Sequence, residues 1–103
     1  MSPIHKSRTE IAPAQRVRLK EPPLFKVLLL NDNYTPMEFV TDILEQVFRK
    51  THSEATQIML HVHSRGSGLC GTYPHAIAES KIDLVHSRAR TEGHPLKAII
   101  ESA

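Results

Sequence analysis

A single cysteine, Cys70, is the whole thiol inventory of this 103-residue chain, so no internal disulfide can form. It stands in the apolar, Gly-flanked stretch GLCG with no neighbour able to lower its pKa, which predicts a buried strand thiol and not a nucleophile. Long apolar runs are equally scarce. The longest, Val27 to Leu30, is far short of the roughly 18 residues a membrane span needs, and the N-terminus carries no hydrophobic signal region. A soluble, cytoplasmic, monomeric protein with no membrane partner is expected. At 11.6 kDa there is material for one domain with one core, and not for two.

Dense positive charge is missing too. The formal net charge of +2 hides an asymmetry: residues 1 to 20 carry Lys6, Arg8, Arg16, Arg18 and Lys20 against Glu10 alone, whereas the remainder holds more acids than bases. The folded part is thus slightly acidic. That argues against nucleic acid as a partner, because duplex-binding surfaces cluster Lys and Arg on the domain itself. The basic tail can still steer an acidic partner.

Residues 1 to 23 hold Pro3, Pro13, Pro22 and Pro23 and no sustained apolar periodicity, the pattern of a flexible arm closed by a Pro-Pro stop. The domain then occupies 24 to 103. LFKVLLL, 24 to 30, is a short, almost continuous apolar run that predicts a strand buried on both faces. Thr35, Pro36 and Glu38 read as a helix start with a capping box. Phe39, Val40, Ile43, Leu44, Val47 and Phe48 follow at helical spacing to about Arg49. A second helix is expected from Thr51 or Ser53, with the stripe Ala55, Ile58, Met59 and Val62, ending at Gly66. SGLCGTY predicts a second strand, residues 75 to about 91 a third helix with the stripe Ala78, Ile82, Val85 and Ala89, and LKAII, 96 to 100, a third strand. The order β-α-α-β-α-β predicts an α+β fold: a small three-stranded antiparallel sheet with three helices packed on one face.

Seven histidines invite a metal reading, which geometry weakens. On a helix His61 and His63 point about 200° apart, so they cannot share an ion, and the others lie on different elements without acids at matched spacing. No metal site and no cofactor are expected. Asn31, Asp32 and Asn33 pose a different question, since three polar residues stand directly between a core strand and a helix. Asx residues commonly fold into local turns there. His63, four residues beyond Met59 and next to Val62, ends an apolar face, where a histidine satisfied by one backbone partner is the ordinary reading.

NDNYTPMEFV (31 to 40), LHVH with Met59, Val62 and His63, AESK and finally HPL together resemble the ClpS family, bacterial adaptors of the N-end rule pathway. The likeness runs in register from about Pro22 to the C-terminus. It departs from the motif NDDYTPMEFV only at Asn33, where the family usually has a second Asp, and again around Pro74 and His75, where many relatives begin the third helix with a Thr cap. The resemblance implies a non-enzymatic receptor for the first residue of other proteins. Residues matching Asn31, Asp32 and His63 hold the substrate's α-amino group, Asp32 through water. Those matching Thr35, Met37, Val40, Met59, Val62 and Leu96 line a pocket for Leu, Phe, Tyr or Trp. Glu79 and Lys81 match positions facing the AAA+ unfoldase ClpA, which feeds the ClpP protease.

The chemistry suits these residue types. An α-ammonium drawn towards an apolar hole loses water, and leaving it unpaired costs several kcal/mol, so the rim must supply acceptors and negative charge. Asn31, Asp32 and a neutral His63 can supply them, while Met37 can pack adaptably over an incoming side chain. Two other readings compete: a small enzyme using Asp32 and His63 as an acid/base pair, which lacks a nucleophile, cofactor motif or oxyanion donors, and an interaction domain that binds an acidic or nucleic-acid partner through its basic arm.

Overall fold

The computed structural model describes residues 21–103; most of the expected arm, 1–23, lies outside the described residues. Strand β1 is Leu24–Leu30, followed by helices α1, Met37–Gln46, and α2, His52–Arg65. Strand β2, Ser67–Pro74, helix α3, His75–Glu92, and strand β3, Lys97–Ser102, complete the expected β-α-α-β-α-β order. The sheet is antiparallel throughout with strand order β2-β1-β3, so the first strand lies in the middle.

Central position does not make β1 buried on both faces, and that expectation is corrected. Val27 and Leu29 are fully buried, but the alternate residues Leu28 and Leu30 are only half-buried and Leu24 is exposed. The helices cover one face only, and a strand's side chains alternate between faces. Between β1 and β2 the register shifts after Val27, which pairs with Gly71, while Leu28 pairs with Leu69. This bulge skips Cys70, whose side chain is wholly buried among the helices' apolar residues. Burial pushes the thiol up to about 12, so it is a core residue, as its surroundings in the sequence imply.

The core is drawn from every element: Val40, Ile43 and Leu44 of α1, Ala55 and Val62 of α2, Ala78, Val85 and Ala89 of α3, and Leu96 and Ala98 at the chain's end. Helix α2 behaves as its sequence demands. Thr51 Oγ1 accepts from the Glu54 N–H at 3.1 Å, the Glu54 carboxylate accepts from the Thr51 N–H at 2.9 Å, and Gly66 closes the helix at φ 94°. Helix α1 does not. Its N-cap is Pro36, it makes no side-chain capping bond, and the capping box expected from Thr35 and Glu38 is absent. The helix also stops at Gln46, short of Arg49, which takes the left-handed conformation at φ 59°. Helix α3 likewise begins uncapped behind Pro74.

Candidate functional site

The missing cap on α1 has a structural cause. Thr35 donates its hydroxyl to Asp32 Oδ2 at 2.8 Å, while Asp32 Oδ1 accepts from the N–H groups of Tyr34 and Thr35 at 2.8 and 2.7 Å. The turn expected of an Asx residue is therefore made by Asp32, and it takes Thr35 away from the helix end. Burial alone would raise the Asp32 carboxyl. The bonds from Thr35 and Tyr34, with the charge of His94 nearby, outweigh it and hold the carboxyl below the ordinary 3.8. Oδ1 has both lone pairs engaged and Oδ2 one, so a charged oxygen with a single open position remains for a visitor.

The Asn31 N–H donates to the Gly66 carbonyl at 2.8 Å, tying the exit of β1 to the end of α2. This closure sets the polar residues after β1 against the last turns of α2. Between them lies a cavity of about 230 Å³ lined by Asn31, Asp32, Asn33, Thr35, Met37, Val40, Met59, Val62 and His63. Its floor is apolar, with Val40 and Val62 buried; Met59 is half-buried and Met37, 46% exposed, stands at the mouth. Asn31, Asn33 and His63 are exposed around the rim. Among the described residues nothing bonds the His63 ring, which lines the cavity, so the backbone-satisfied core-edge histidine is not what the fold builds.

Gly68 of β2 lies against Val62, one of the residues that line the cavity. A Cβ there would come within 2.6 Å of Val62 Cγ2, so only glycine lets the strand pass under the cavity wall without displacing it. Nothing in the sequence reading singled out Gly68; the signal was a glycine inside a strand pattern.

Of the side chains assigned to a pocket, Leu96 is the one placed elsewhere. It is buried, 3% exposed, and lines a neighbouring groove with His86, Arg90, His94 and Lys97. Glu79 is exposed and lies 3.7 Å from His75 Nδ1. Lys81 turns inward: its ammonium donates to the Val47 carbonyl at 2.8 Å, 5.2 Å from the centre of the Tyr73 ring and 5.9 Å from that of Phe48. It thereby satisfies an orphan carbonyl at the end of α1, where a cation also suits the helix dipole. Among the described residues no cluster of His, Cys, Asp or Glu could hold a metal, and no helix is long and apolar enough to cross a membrane.

Fold and cavity together define a class: a small α+β domain with a polar lip over a small apolar cavity. The family model described as "ATP-dependent Clp protease adaptor protein ClpS" matches residues 20–99. The chain belongs to the ClpS family and is an adaptor of the Clp protease. Curated relatives named as Clp protease adapter proteins include one from Hyphomonas neptunium, 50% identical over 92 residues that cover 89% of this chain and 78% of the relative. Another, from Nitratidesulfovibrio vulgaris, is 57% identical over 81% of this chain and 83% of its own length. The solved structure of Agrobacterium tumefaciens ClpS2 bound to L-phenylalaninamide superposes with a TM-score of 0.78 at 37% identity, covering 81% of this chain and all of that one. The relatives' names are those of adapters, not enzymes.

Proposed function

We propose that the cavity receives the first residue of substrate proteins, holding a free α-ammonium at Asn31, Asp32 and His63 and a bulky apolar side chain between Met37, Val40, Met59 and Val62, with Thr35 on the wall. The adaptor then delivers such substrates to the ClpA unfoldase of the ClpAP protease. The observation that carries this reading is the juxtaposition of a carboxylate kept ionised by its own turn with a small apolar hole. At about 230 Å³ the hole is smaller than pockets for drug-sized ligands and suits one side chain. The ligand of the Agrobacterium relative, an amino acid amide with a free amine and an aromatic ring, has the chemistry of a chain start.

Each charge-assisted bond to the amine contributes about 1.5–3 kcal/mol net, and burying a Leu or Phe side chain contributes about as much. Neither half suffices alone. An acetylated terminus leaves the rim acceptors unmatched; a small first residue leaves the hole underfilled. Leu96 supports the pocket from behind, as part of the core on which Val40 and Val62 rest. Asn33 in place of a second acid leaves the rim with one fewer negative charge, which lowers ligand strength without changing ligand type. Towards the unfoldase, Glu79 is open to a partner, whereas Lys81 contributes by holding α3 to the end of α1.

Fluorescence anisotropy with Leu-initiated peptides tests the reading. A peptide with a free α-amine binds tightly; its N-acetylated twin loses at least about tenfold. Equal affinity of the two overturns the amine contact.

A further inference from the structure

Beside the cavity runs a second groove, of about 390 Å³, lined by His86, Ala89, Arg90, His94, Pro95, Leu96 and Lys97. Three of these side chains, Arg90, His94 and Lys97, carry or can accept positive charge, and none is an acid. The groove begins near the rim: Lys97 is the β3 partner of Leu30, the residue before Asn31. The His94 ring packs edge-on against Phe39 of α1, centroids 4.7 Å apart. Its other wall is fixed by the Ala98 N–H, which donates to His86 Nε2 at 3.0 Å and locks α3 to β3.

We propose that this groove takes the substrate's second and third residues and favours acidic side chains there. The inference rests on the cavity being the seat of the first residue. Neighbouring strands lie about 4.8 Å apart, and an extended chain advances about 3.4 Å per residue, so two residues carry a substrate from an amine held at Asn31 to Lys97. Once the ammonium is seated, the rim's one carboxylate is compensated. Arg90 and Lys97, both exposed, then present unbalanced positive charge to whatever follows. Carboxylates two or three residues into the chain meet that charge; lysines there are repelled by it.

The test uses three free-amine peptides identical except at positions two and three, which are both glutamate, both serine or both lysine, each with an acetylated twin. Binding is read by anisotropy at about 50 mM and 300 mM salt. At low salt the glutamate peptide is expected to bind about fivefold more tightly than the serine one and the lysine peptide about fivefold more weakly, the spread shrinking at high salt. In the double variant Arg90→Ala, Lys97→Ala the spread collapses, its serine peptide serving as the reference for folding and cavity binding. Equal affinities for the three peptides, all abolished by acetylation, overturn the groove while the cavity reading stands. A spread that survives the double variant overturns it as well. If acetylated twins bind as well as free ones, the cavity reading itself falls, and this one with it.

Discussion

Helices α1 and α2 are sequence neighbours with the same start signal, a threonine followed three residues later by a glutamate, and they use it in opposite ways. In α2, Thr51 and Glu54 close a reciprocal capping box and Gly66 ends the helix in the left-handed conformation. In α1, Thr35 turns back to Asp32, Pro36 stands at the cap with no side-chain bond, and the chain beyond leaves through Arg49 at positive φ. Helix α1 is held by tertiary contacts instead: buried Ile43, Leu44, Val47 and Phe48, and the Lys81 ammonium on the Val47 carbonyl. The helix start that obeys local rules, at Thr51 and Glu54, is scaffold, and the one that breaks them, at Asp32 and Thr35, forms the lip of the candidate site, to which α2 adds Met59, Val62 and His63 from its later turns. Natural chains depart from local consistency where a different demand competes, here the demand for a charged, preorganised lip.

The sharpest way to break this contrast is to remove each turn's key side chain. Asp32→Ala is expected to weaken binding of a Leu-initiated peptide about a hundredfold, since it removes both the rim charge and the turn that aims it. Thr51→Ala should cost about 1 kcal/mol of stability in a urea titration and leave binding alone. A Thr51→Ala chain that binds as poorly as Asp32→Ala would erase the distinction between site and scaffold. Gly68→Ala comes next. Its methyl meets the stiff, β-branched Val62 at 2.6 Å, so overpacking should cost about 1–3 kcal/mol and push Val62 into the cavity. The expected signature is a lower urea midpoint together with weaker binding; lost stability with unchanged binding would show that Val62 does not shape the hole.

Both turns also have a common acid limit. The carboxyls of Asp32 and Glu54 are each lowered from their ordinary values of 3.8 and 4.5 against the opposing effect of burial, and in each the lowering comes mainly from N–H and hydroxyl donors of its own turn. A group whose folded pKa is depressed contributes its stability above the unfolded value and loses it as pH falls through the folded one. Neither turn should therefore weaken between pH 7 and 5. Loss is expected to begin only as pH falls below 4.5 at α2 and below 3.8 at α1. Carboxyl NMR titration checks this residue by residue, and a midpoint for Asp32 above 3.8 would mean that its turn does not persist in solution.

The element order and the helix stripes were legible because periodicity survives tertiary context when one face is buried. Ala55 and Val62 in α2 and Ala78, Val85 and Ala89 in α3 lie in the core at the spacing the sequence shows. The exposed face of β1 was not legible. A run such as Val27 to Leu30 looks the same whether one side or both are covered, and the number of helices on each face is a tertiary fact. The capping box at Thr35 misled for a related reason: the pattern is local, but Asp32 three residues earlier competes for the same hydroxyl. The cavity side chains were found through family resemblance, because residues from β1's exit and the end of α2 are far apart in sequence and are brought together by the Asn31 to Gly66 hydrogen bond and the pairing of Leu30 with Ser67. Gly68 had no such pattern to announce it, and HPL, 94 to 96, pointed to the cavity and not to the groove it lines.

The last contrast is between the helix ends. Gly66 and Gly93 close α2 and α3 at φ 94° and 76°, while after α1 the left-handed residue is Arg49 at φ 59°. A side chain in that region crowds the following carbonyl, and glycine does not. Arg49→Gly should therefore relieve local strain, partly offset by the greater freedom of glycine in the unfolded chain, for a net gain of about 0.5 kcal/mol and a rise in Tm of about 2–4 °C. Peptide affinity should stay where it is, because Arg49 is a full helix length from the lip. A variant that melts lower than its parent would mean that Arg49 does not hold positive φ in solution, and that α1 ends by a different route from the one its uncapped start requires.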